Sequence, residues 1–363
     1  WLPIPLSPRN NLYNLFPTFS HFILMRSIHS YTMSLAPASA STSSFPSPNP
    51  NRTHSFPCRF LLDNSTSSIL TLPSGRKLSY AQYGDPNGKP VFFFHGLPGS
   101  RLEGTYFDDL GKELGARIIS PDRPGCGQST PQPGRGLLDW PKDVEALAEH
   151  LKLAEYSIMG ASGGGPYVLS CAYALPTQAL KSATIICGLG PPDIGMRGAG
   201  IFHRLGIPYG WRWSPTFLLR WFLELDPTYR VHLPESTRLE LKLRPTELAK
   251  VKHPKDKALS VDGDLVRMGI RDVSEALAQG LGVAREDAKG VCEAWPFRVE
   301  DIKEDLKVKL WYGKEDVFVP IVHGEQIAAR LGGRAECRFE KDTHSSIFFG
   351  WRREILESIL RDM

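Results

Sequence analysis

Hydrophobic patterning changes character at about residue 68. Upstream, residues 1–60 are rich in Ser, Pro and Asn, with Ala-Ser-Ala-Ser-Thr-Ser-Ser at 38–44, and sustain no period of 2 or 3.6. Such a stretch buries too little apolar surface to offset the entropy of ordering it. Downstream, short apolar runs alternate with helical patterns. Strands are expected at 68–72 and 77–83, a hairpin across Pro73-Ser74-Gly75, and then at 91–94, 116–120, 156–159, 182–187, 308–312 and 335–339. Helices are expected at 102–114, 139–152, 163–175 and 321–331. In the second of these, Trp140, Val144, Leu147, Ala148 and Leu151 share one face. Apolar strands interleaved with helices predict an α/β class: a mostly parallel central sheet with helices on both faces.

The rhythm breaks between 189 and 303. That interval is aromatic at first (Tyr209, Trp211, Trp213, Phe217, Trp221, Phe222) and then helical at 238–252 and 262–279. It reads as an inserted helical cap, with its aromatics favoured as core over pocket lining. The organisation expected is a disordered or targeting segment at 1–62, a core built from 63–188 and 304–363, and a cap at 189–303.

The chain has 363 residues, 41% of them hydrophobic and 23% charged. That balance excludes a wholly disordered chain, a collagen and a coiled coil. Residues 1–62 hold no Asp or Glu and four arginines (Arg9, Arg26, Arg52, Arg59), so 39 basic groups face 39 acidic ones in the remainder. A body without net charge argues against a nucleic-acid partner, which calls for a basic face. Six scattered cysteines without a C-x-x-C pair read as free thiols of a reducing compartment, with no metal site. The apolar patch at 22–25 falls far short of the ~20 residues of a membrane span, and no transmembrane segment is expected. The expected location is the cytoplasm, or the mitochondrion if the acid-free stretch from Met25 acts as a transit peptide.

Gly160-Ala161-Ser162-Gly163-Gly164 carries the chemical signal, because it follows an apolar run and opens a helical pattern. A sharp strand-to-helix turn with small neighbours would raise the Ser162 hydroxyl above the sheet. A serine hydroxyl needs a base, and the base an orienting group. Asp316 follows the run at 308–312 and His344 follows the run at 335–339, both in loops on the edge where Ser162 is expected. Asp193 is a competing acid, Glu315 and Asp342 are less well placed, and His95 and His323 read as structural. Donors for a developing oxyanion are expected from the Gly163 amide and from the loop His95-Gly96-Leu97-Pro98-Gly99-Ser100, where Leu97 is the best candidate. In the segment 122–129, Asp122 and Arg123 are expected to brace that loop, and nothing beside Cys126 suggests a nucleophile.

Together these segments resemble the α/β-hydrolase superfamily, in its serine-nucleophile branch with a helical cap, over about 69–363. His95-Gly96-Leu97-Pro98-Gly99 looks like the family's oxyanion loop, and the segment 122–129 is similar to its D-R-P-G-x-G-x-S stretch. The elbow lies at 160–164, and Asp316 and His344 match the acid and base. Thr343 stands where the family usually has glycine. The resemblance implies cofactor-independent hydrolysis, the first expectation is a small-molecule carboxylic ester or similar acyl bond, and the apolar, aromatic cap points to a hydrophobic acyl chain. The alternatives are a proline iminopeptidase-like exopeptidase, which would need a cap carboxylate such as Glu224, Asp226 or Glu235, and a non-catalytic ligand-binding protein on the same fold.

Overall fold

A computed structural model of the chain describes residues 58–363. All eight expected strands are present, with ends within two residues of expectation: β1 (Ser67–Thr71), β2 (Lys77–Gly84), β3 (Lys89–Phe94), β4 (Ala116–Pro121), β5 (Tyr156–Ala161), β6 (Leu180–Ile186), β7 (Lys307–Gly313) and β8 (Glu336–Glu340). They form one sheet in the order β1-β2-β4-β3-β5-β6-β7-β8. β1 and β2 are antiparallel to each other, as are β2 and β4, and every pair from β4 to β8 is parallel.

The parallel strands read as nearly continuous apolar runs because both of their faces are covered. Successive side chains point to opposite faces, so Phe92 and Phe94 enter one core while Val91 and Phe93 enter the other. The first core meets helices Trp140–His150, Gly165–Ala174 and Val322–Arg330 through Val144, Leu169 and Ile327. The second meets Asp108–Leu114, His344–Gly350 and Arg352–Leu360 through Leu110, Ile347 and Ile355.

The chain leaves the sheet after β6 and re-enters it at β7, with only helices and loops between. The helix expected at 238–252 is broken into Glu235–Lys242 and Pro245–Leu248. Pro245 has no amide hydrogen and forces Arg244 into extended backbone. Most of the early aromatics are not core. Trp211 is buried, but Trp213, Phe217 and Trp221 lie on the surface. The apolar pattern there marks an exposed face, which periodicity alone does not separate from a buried one.

The expected leader at 1–62 lies outside the described residues except for 58–62, and these pack against the body. Phe60 is buried with its ring edge-on to Tyr106 at 5.2 Å, and Arg59 pairs with Asp262 at 2.6 Å. Among the described residues no helix is long and apolar enough to cross a membrane.

Candidate active site

β3, β5, β6, β7 and β8 run parallel, so the candidate residues that follow them lie on one edge of the sheet. At the end of β5 the chain reverses into a 3-10 turn, Ser162–Gly164, and then the helix Gly165–Ala174. Ser162 sits at φ +53°, a left-handed conformation rare for a residue with a β-carbon. The tight turn depends on small neighbours: a β-carbon on Gly164 would stand 2.3 Å from the Phe94 carbonyl oxygen. Ser162 is half-buried, and its hydroxyl makes no hydrogen bond among the described residues.

Asp316 is buried in the loop after β7. One carboxylate oxygen, Oδ1, accepts the Phe318 and Val319 amides at 2.7 and 3.0 Å. The other, Oδ2, is 2.7 Å from His344 Nδ1. His344 is not in a loop, as expected, but opens the helix His344–Gly350. Thr343 caps that helix: its hydroxyl accepts the Ser346 amide while its own amide donates to Ser346 Oγ. The backbone of Thr343 is extended there, so glycine is not required before the histidine. Burial works against the imidazolium of His344, but the Cys187 sulfur and the Asp316 carboxylate outweigh it and hold the group well above the ordinary imidazole range.

Cys187 is the member that sequence reasoning missed. It follows β6 at φ +41°, and its sulfur lies 3.9 Å from His344 Nε2. The next turn returns to the elbow, where the Leu189 amide donates to the Ser162 carbonyl at 3.0 Å. Only the length of β6, which ends at Ile186, would have announced it. Cys187, Asp316 and His344 also bring three potential metal donors within 4.8 Å among the described residues. Asp316 Oδ2 and His344 Nδ1 are already bonded to each other, which leaves the cysteine sulfur and Nε2 for any ion.

The competing groups have other partners. Asp193 forms a two-armed pair with Arg330 on the surface, Glu315 bonds to His253, and Asp342 bonds to Lys255, Ser346 and Trp351. His323 lies within a helix, where its Nδ1 accepts the Gly190 amide, and burial pushes it down to about 4. His95 is fully buried, and that burial, with Arg123 beside it, keeps it neutral.

The loop after β3 lies against the elbow. The Leu97 amide nitrogen is 3.1 Å from where a β-carbon on Gly163 would be. The Gly96 amide is engaged by Glu103 Oε2 at 2.9 Å. Arg123 braces this loop as expected, donating to the carbonyls of His95 and Gly96 at 2.6 Å each. Asp122 accepts from the Arg101 amide and pairs with its guanidinium.

Acidic residues from the insertion complete the support. Asp287 takes Arg123 at 2.9 Å, Arg135, and the Tyr167 hydroxyl at 2.7 Å. Glu275 takes Arg101 at 2.7 Å. Asp272 accepts both the amide and the hydroxyl of Ser100. Burial and the neighbouring Glu103 push Asp272 well above the ordinary carboxyl range. No sequence signal marks these pairs, because each joins positions more than 100 apart. Above them, Leu97 packs on the cluster of Trp211, Leu219 and Leu281, and the His203 ring meets Phe318, which in turn faces His344.

Comparison with known proteins agrees with this architecture. Residues 89–350 match the family described as alpha/beta hydrolase fold. The chain is similar to a proline iminopeptidase of Xylella fastidiosa, 34% identical over 115 residues, covering 30% of this chain and 36% of that protein. It spans about a third of the length of the curated relatives it matches. Two solved structures share the fold at a TM-score of 0.55. An alpha/beta hydrolase fold protein from Nakamurella multipartita is 19% identical, covering 82% of this chain and 99% of that one. The esterase RhEst1 from Rhodococcus sp. ECU1013 is 18% identical, covering 81% and 99%. With its sheet order and the strained serine at the end of β5, the chain belongs to the alpha/beta hydrolase fold family.

Proposed function

We propose that the protein is a serine hydrolase that cleaves a carboxylic ester or related acyl bond through an acyl-enzyme. The observation that carries this reading is the 2.7 Å contact of Asp316 with His344 Nδ1, on the same sheet edge as a strained serine whose hydroxyl has no hydrogen-bond partner among the described residues. Asp316 fixes the tautomer in which Nδ1 bears the proton, leaving the Nε2 lone pair for the serine hydroxyl. His344 takes the Ser162 proton as Oγ attacks the carbonyl carbon, then returns it to the departing alkoxide. Water repeats the cycle against the acyl-serine and releases the acid. Negative charge on the carbonyl oxygen is met by the Leu97 and Gly163 amides, which are fixed before that charge develops. The helices at 189–303 act as the cap, and the apolar Leu97, Trp211 and Phe318 around the site favour a hydrophobic acyl group.

The exopeptidase reading draws support from the iminopeptidase relatives. The cap carboxylates it would use have other partners: Asp226 pairs with Lys242, Glu224 with His232 and Glu235 with Arg271. Short-chain nitrophenyl esters and prolyl anilides, each with wild type and Ser162→Ala, separate the readings. The proposal expects ester turnover and fluorophosphonate labelling, with Ser162→Ala losing the label and on the order of 10⁵-fold or more in kcat. Unlabelled wild-type protein, or full turnover by Ser162→Ala, would overturn it. Faster cleavage of prolyl anilides would transfer the site to a peptidase.

A further inference from the structure

We propose that the outer face of residues 197–225 is a docking surface for an anionic lipid bilayer. Three short helices, Ile201–Leu205, Trp211–Trp213 and Thr216–Leu223, lie there, and apart from Trp211 and Leu219, which face inward, most of their large apolar side chains point into solvent. Phe202, Trp213, Phe217 and Trp221 are 64%, 65%, 75% and 60% exposed. Between the helices lies a groove of about 610 Å³ walled by Phe202, Leu205, Tyr209, Trp213, Leu218 and Trp221. Single exposed apolar residues are ordinary, but a contiguous aromatic patch of this kind marks a surface that something covers.

Charge selects the occupant. From 194 to 223 the chain holds four arginines and no Asp or Glu. Arg197, Arg204 and Arg220 are exposed and form no ion pair among the described residues, while Arg212 lies over the Trp213 ring at 5.3 Å and reaches Glu293 at 3.8 Å. Aromatic and apolar side chains beside unpaired arginines on short in-plane helices suit the boundary of an anionic leaflet. There the rings enter the acyl region and the guanidiniums meet the headgroups. A second copy of the chain suits the face poorly, because symmetric pairing would set its arginines against each other. The same helix that carries Phe202 and Leu205 outward turns His203 inward, with its ring 4.4 Å from Phe318, which lies 5.4 Å from His344. Docking would therefore bring a bilayer up to the wall of the candidate site.

The test is co-sedimentation of the full chain with phosphatidylcholine vesicles, with and without phosphatidylserine. Wild type should pellet with the phosphatidylserine vesicles and release as salt is raised. At about fivefold per arginine, Arg197→Glu/Arg204→Glu/Arg220→Glu should weaken that binding on the order of a hundredfold. Trp213→Ala/Phe217→Ala/Trp221→Ala should lose it, while both variants melt close to wild type. Ser162→Ala should pellet like wild type, so docking and the catalytic reading succeed or fail separately. No pelleting of wild type with either vesicle, unchanged pelleting of both triple variants, or self-association in sedimentation velocity that the aromatic variant abolishes would each overturn the proposal.

Discussion

Asp287→Asn probes how the insertion is held to the core. The substitution keeps the side-chain shape but leaves the guanidiniums of Arg123 and Arg135, 0% and 6% exposed, facing a neutral amide. Removing one member of a buried ion pair costs about 3–5 kcal/mol. For a body of this size each kcal/mol moves the melting temperature by about 2–4 °C, so the variant should melt roughly 6–20 °C below wild type. Asp193→Asn is the matched control: its pair with Arg330 is on the surface, and its loss should cost about 1 kcal/mol at most. The pH dependence has a defined sign. Burial alone would raise the Asp287 carboxyl, but Arg123 and Arg135 hold it below the ordinary range. Its stabilisation is therefore complete above the unfolded value near about 3.9 and is lost only as pH falls further, through the folded value. Calorimetric melts at neutral pH and at progressively lower pH read both effects. Asp287→Asn melting with Asp193→Asn at neutral pH would refute the reasoning.

Further outcomes follow from the site geometry. Since Asp316 and Cys187 favour the charged imidazole, the acid limb of kcat/KM should lie above about 6.5. Asp316→Asn should lower that limb and cost on the order of 10⁴-fold in kcat, and Cys187→Ala should lower the limb while keeping most of the activity, both read from pH–rate profiles. Gly163→Ala would put a β-carbon 2.4 Å from Leu97 Cβ and push the loop away, so steady-state kinetics should show about 10²–10³-fold lower kcat. Gly127 lies at φ +50°, and a β-carbon there would fall 2.1 Å from Asp122 Oδ2. Gly127→Ala should therefore lower the melting temperature by breaking up the pairing of Asp122 with Arg101.

The parts legible in the sequence are those that local physics writes locally. Val91 to Phe94 had to be a strand buried on both sides, and a serine between small residues after such a strand had to turn sharply. Asp316 and His344 were findable because each trails an apolar run. Cys187 was not, since the exact end of β6 decides whether its sulfur meets a histidine 157 positions away. Asp272, Glu275 and Asp287 were equally hidden: on a surface helix a carboxylate facing water and one facing a buried arginine carry the same pattern. The aromatics after 201 misled for the converse reason, because an apolar stripe says that a face avoids water without saying what covers it.

Buried charge is distributed unevenly over the residues between β6 and β7. The helices Gly263–Ala276 and Leu281–Cys292 are bolted to the sheet by Glu275 on Arg101 and Asp287 on Arg123, with Asp272 latched to Ser100. The stretch from 201 to 225 has no fully buried charge pair of its own among the described residues. That early stretch is held to the later helices by Trp211 and Leu219 packed on Leu281 and by Arg285 on the carbonyls of Trp211 and Arg212, contacts that are apolar or end on neutral backbone.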